Sequence, residues 1–156
     1  MNQKLSDWAS IAEIVSGIAV VVTLIFLIAG IRENTAVLRG SSYSNTLESL
    51  NQLQASIMAD SEMALVWEAF LDYKTSDIDE GGRARLRMAV ASLMRIYEVA
   101  YFQHEYGLLG EAEWVRFASV GCQNFSRVQS FLPQMIETGG PFTDEFLNYM
   151  TDNCEG

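Results

Sequence analysis

His104 is the single histidine of the chain, so any nucleophilic device that relies on an imidazole base must be built around it. Cys122 supplies a thiol on the next helix, and Glu98 and Glu105 are close to His104 in sequence. Together they can be drawn as a Cys-His-Glu constellation. The spacing argues for a plainer role. His104 falls in line with Leu86, Leu93 and Ala100, and Cys122 stands one step from a Gly121–Phe125 stripe. They read as a packed histidine at a helix end and a buried thiol. Metal chemistry has no better footing. A di-iron bundle takes Glu-x-x-His from two helices, whereas "YFQH" has Tyr101 at the glutamate position. "DIDEGG" opens like a calcium loop, but the twelfth position from Asp79 is Val90, which has no carboxylate. No CxxC, HExxH, GxSxG or phosphate-binding glycine loop occurs in the sequence. The expectation is a chain that is not an enzyme and carries no cofactor or metal.

The elements that would position these residues are helical. Proline is absent before Pro133, and apolar residues recur at spacings of three and four. Tyr43, Leu47, Leu50, Leu53 and Ile57 make one apolar face, and Gly40 with the serines after it either breaks or weakens that helix. Asp60 is placed to cap a second helix, with Glu62 in its first turn and Met63, Trp67 and Phe70 on one side. A third helix from about Arg83 carries Leu86, Val90, Leu93, Tyr97, Ala100 and His104 at 4,3,4,3,4 spacing, and Gly107 ends it. A fourth, from about Glu111, repeats the rhythm in Trp114, Ala118, Gly121, Phe125, Val128 and Leu132. Pro133 and "TGGP" punctuate its exit, and "TDEFLNYM" is a short last helix presenting Phe142, Phe146 and Tyr149 or Met150. No strand pattern competes.

The amino-terminal third has a different composition. Ile14 to Ile31 is a run of 18 residues without an ionisable side chain, which as a helix rises about 27 Å. With Ile11 and Ala12 the length reaches about 30 Å, the thickness of a hydrocarbon core. The run is apolar all round, whereas a surface helix would show a polar stripe. A cleavable leader needs a basic flank, a shorter apolar stretch and a small-x-small site. Here Lys4 faces Asp7 and Glu13, and "IAG" is a poor site. Trp8 suits an interfacial anchor. The expected layout is a short flank at 1–10, a transmembrane helix at 11–31 and an acidic helical domain at 32–156. The fold class is all-α, an N-terminal transmembrane helix continuing into a small bundle of four to five helices.

Charge limits the partners. Residues 32–156 hold 18 acidic and 9 basic side chains, a formal charge of about −9. Such a surface repels nucleic-acid phosphates, and no juxtamembrane run of Lys or Arg marks an anionic-lipid site. The expected partners are the lipid bilayer and either a second copy or another membrane protein, with no nucleic acid. Arg32 and Arg39 against Lys4 favour a cytoplasmic helical domain by a margin of about one charge. Two cysteines, Cys122 and Cys154, agree with a reducing compartment, and a bridge between them in a periplasmic domain is the alternative.

"WASIAEIVSGIAVVVTLIFLIAGIRENTAVLRGSSY", "DSEMALVW", "YEVAYFQHEYGLLGEAEW" and "FTDEFLNYM", in that order and over nearly the whole chain, resemble a family of uncharacterised bacterial single-pass membrane proteins. The resemblance implies an N-terminal membrane helix and a helical domain of unassigned function; the expected location is the bacterial inner membrane. It supplies no catalytic residue.

Inside the membrane run, Ala12, Ser16, Ala19 and Thr23 fall at 4,3,4 spacing, a small-residue face that permits close helix approach. Glu13 stands beside that face at the edge of the apolar run. The expected function is a membrane-anchored, homo-oligomeric or accessory interaction subunit. The alternative is a small oligomeric channel or sensor with Glu13 near the pore mouth. A channel needs a polar stripe through the whole helix, and none lies between Thr23 and Ile31.

Overall fold

The computed structural model describes residues 2–129 and 142–154, with side chains at Trp8, from Glu13 to Gln129 and from Phe142 to Cys154. Within them lie five α-helices and no strand: α1 Asn2–Ala59, α2 Ser61–Leu71, α3 Glu80–Glu105, α4 Glu111–Val128 and α5 Asp144–Asn153. Leu132, Pro133 and "TGGP" lie outside the described residues, as does the side chain of Ala12. The all-α class follows as expected. The chain divides into two units, Met1–Leu38 and Arg39–Gly156.

In the first unit α1 is long and apolar enough to cross a membrane. Every side chain from Glu13 to Ile31 is exposed. Among the described residues, none of this stretch is buried.

In the second unit α1 continues through Gly40 without a break. A glycine costs a helix interior roughly 1 kcal/mol, and the side chains that follow supply more than that by packing. Tyr43, Leu50 and Leu53 lie half-buried against the core, and Ile57 is buried. The stripe departs from expectation at one place. Leu47 is exposed, and Thr46, only 3% exposed, holds the inward position. Position 46 gives an alternating 3,4,3 rhythm from Tyr43 through Leu50 to Leu53, whereas 47 points a further 100° round the helix. The Thr46 hydroxyl is satisfied there, 2.9 Å from Gln103 Oε1 and 3.0 Å from the Ser42 carbonyl.

Local signals set the other boundaries. The Asp60 carboxylate accepts the backbone N–H groups of Glu62 and Met63, and Asp79 accepts that of Gly82, so both α2 and α3 begin at a satisfied N-cap. Gly107, at φ +68°, closes α3 in the left-handed conformation and donates its N–H to the His104 carbonyl. Arg39 Nε then donates to the Gly107 carbonyl at 2.8 Å, fastening α1 to that turn.

The core sits between α3 and α4, closed by α2 and α5. Leu86, Val90, Leu93, Tyr97 and Ala100 are buried from α3, and Trp114, Gly121, Phe125 and Val128 from α4. At Gly121 the two helices approach closely: a Cβ there would stand 3.4 Å from the Tyr97 ring. Phe70 of α2 and Phe146 and Met150 of α5 seal the two sides, each at most 1% exposed.

Candidate functional site

The residues suspected of chemistry are not brought together. His104 stacks on Trp114, with ring centroids 5.2 Å apart and planes 10° from parallel. Its Nδ1 lies 3.4 Å from the Leu109 carbonyl, and its Nε2 lies 3.7 Å from a carboxylate oxygen of the exposed Glu111. The imidazole therefore ties the end of α3 to the start of α4. Cys122 stands eight residues beyond Trp114 on α4, about 12 Å along the helix.

The thiol is not free. Cys122 is bonded to Cys154, the C-cap of α5, with the two Cα atoms 4.8 Å apart. This corrects the expectation of a buried thiol and realises the alternative pairing. The cause is the docking of α5, whose Phe146 and Met150 enter the core and carry Cys154 onto α4.

Glu98 plays a part that spacing did not reveal. It is 8% exposed, and its Oε1 accepts both the backbone N–H of Thr143 (2.6 Å) and the Thr143 hydroxyl (2.9 Å). Thr143 in turn caps α5, accepting the Phe146 N–H. A buried carboxylate is stable only when hydrogen-bonded, and Glu98 meets that condition by holding the start of α5. No helix-local signal could show this, because the partners are 45 residues apart.

Between these two ties lies an aromatic cluster. The Tyr101 ring is 4.9 Å from Tyr149, 5.9 Å from Phe146 and 6.0 Å from Trp114. The rings pack against one another as an apolar link between α3, α4 and α5. Burial pushes the Tyr101 phenol up, and the Glu145 and Glu105 carboxylates add to the shift. Burial raises Tyr97 as well, against a hydrogen bond from Asn124 at 3.1 Å. Both phenols stay neutral through the physiological range, as buried polar anchors of the helix packing.

The concavity of note is an open groove of about 730 Å³ between α1 and α3, bordered by Asn45, Ser49 and Gln52 on one wall and Met88, Arg95 and Val99 on the other. It explains why Leu53 remains only half-buried at its floor.

In the first unit Ser16, Ala19 and Thr23 are exposed, as is Glu13. The Thr23 hydroxyl donates to the Ala19 carbonyl at 2.8 Å. Its proton is thus used within the helix, which leaves its oxygen as an acceptor for a neighbour.

No protein-family model, curated protein or solved structure matches the chain.

Proposed function

We propose that the chain is a single-pass membrane-anchored protein of the bacterial inner membrane, acting as a homo-oligomeric or accessory interaction subunit through its anchor and its acidic helical domain. The observation that carries this reading is the exposure of all 18 residues from Ile14 to Ile31. Fully exposed apolar surface on this scale marks contact with lipid or protein. The family resemblance supports the same reading. The assembly contact inside the membrane is the face containing Ala12, Ser16, Ala19 and Thr23. Lipid tails are as apolar as leucine, so helices associate there by close packing and hydrogen bonds rather than by exclusion from water. Small side chains lower the ridge and let two backbones meet. Ser16 adds interhelical hydrogen bonding of about 0.6 kcal/mol, and Thr23 contributes as an acceptor. Val15, Val22 and Phe26 offer bulk suited to lipid.

The test is Ser16→Leu combined with Ala19→Leu, compared with the unmodified chain by crosslinking in membranes and by size in mild detergent. The variant is expected to insert normally and to lose the crosslinked species. Unchanged assembly would move the contact to the soluble helices and remove this face from the account.

A further inference from the structure

We infer that the helical domain stands on the oxidising side of the membrane, and that oxidation of Cys122 and Cys154 after export locks α5 in place. The inference rests on the anchored reading above and adds the side of the membrane and a modification site to it.

Four features converge on the pair. The chain has two cysteines in all, and the fold joins them to each other across 32 residues of sequence. Their Cα separation of 4.8 Å lies inside the range a disulfide spans without moving the backbone. Cys154 is buried and Cys122 is partly exposed, so the bridge joins a residue in the core to one at the surface, where an oxidant can approach. Finally, α5 is ten residues long, well short of the roughly 12–15 that a helix needs to hold by itself. Its amino end is held by Glu98 through Thr143, and its carboxyl end is held by the bridge.

Cytosolic thiol systems keep such pairs reduced, whereas exported domains acquire and retain them. The rival indication is Arg32 and Arg39 against Lys4, a margin of about one charge. A covalent link at the end of a core-packed helix outweighs that margin. The chemistry is thiol–disulfide exchange with a disulfide-bearing thiol oxidant. The Cys122 thiolate attacks the oxidant's disulfide, forming a mixed disulfide and releasing one oxidant thiolate. The Cys154 thiolate then attacks Cys122 sulfur and expels the second. The protein loses two electrons and two protons, and the oxidant leaves as a dithiol.

Cells expressing the full chain are quenched in acid, and free thiols are tagged with a mass-adding maleimide, with and without prior reduction. In parallel, protease is added outside spheroplasts, and membranes are extracted with alkaline carbonate. The expected result is no tagging until reduction, two tags after it, and digestion of the helical domain from outside. Tagging without reduction, or a domain protected from external protease, would overturn the inference. Protein that pellets after carbonate yet carries free thiols sinks the assignment of side alone, whereas protein released by carbonate sinks the anchored reading itself. Cys154→Ser gives a second readout that does not need the bridge: its lone Cys122, partly exposed in the fold, should react with an impermeant maleimide in intact cells. Labelling only after lysis would place the domain inside.

Discussion

Phe146→Ala lowers the stability of the helical domain by about 3–5 kcal/mol, the range for deleting a fully buried phenylalanine. Phe146 has no exposed surface and packs against Tyr101 and Phe142. It is the apolar plug by which α5 joins α3 and α4. Alanine there removes the ring and leaves a cavity that neighbouring aromatics can only partly fill. Domains of this size hold only about 5–15 kcal/mol in total, so the loss is a large share of the whole. Thermal and urea unfolding of the full chain in detergent measures it. Val115→Ala, at an exposed position, serves as control and should shift stability by less than about 0.5 kcal/mol. Equal effects from the two variants would mean that α5 does not seal the core.

Cys122→Ser with Cys154→Ser is expected to cost about 3–4 kcal/mol. That figure follows from the entropy that a cross-link over 32 residues removes from the unfolded chain. Unfolding of the oxidised chain, the reduced chain and the double variant measures it. The reduced chain and the variant should unfold together, well below the oxidised one. The loss should concentrate in α5, seen as faster amide exchange there while α3 and α4 keep theirs. Coincident curves for all three would show that the bridge bears no load.

The features legible beforehand are the helix-local ones. Leu86, Val90, Leu93, Tyr97 and Ala100 on α3 announce their inward face by alternating spacings of four and three and are buried, with His104 half-buried at the end. On α4 Trp114, Gly121, Phe125 and Val128 are buried, whereas Ala118 is half-buried and its neighbour Phe117, outside the expected stripe, is buried. Asp60 and Gly107 announce their turns because capping is decided within a few residues of chain. Thr46 is hidden from a hydrophobicity pattern, which favours Leu47, although helix geometry demands position 46 and a hydroxyl can be satisfied there by Gln103. Gly40 does not decide the helix by itself, because its intrinsic cost is small beside the packing of the residues after it. Glu98 with Thr143, and Cys122 with Cys154, were beyond periodicity altogether. Both are contacts between elements that only the docking of α5 brings together. As for chemistry, the residues that can be drawn as a Cys-His-Glu device serve as separate fastenings: a stacked imidazole, a bridged sulfur and a capping carboxylate. The apolar run is the plainest signal of all, because its length and all-round apolarity are read from the residues themselves, and α1 is long and apolar enough to cross a membrane.

That run is the centre of the account, and alkaline carbonate extraction of membranes, with determination of the amino terminus of the recovered chain, tests it most directly. A retained anchor predicts that the protein stays in the membrane pellet with its residues ahead of Ile14 still attached. Release into the supernatant, or a mature chain that begins after Gly30, would contradict it.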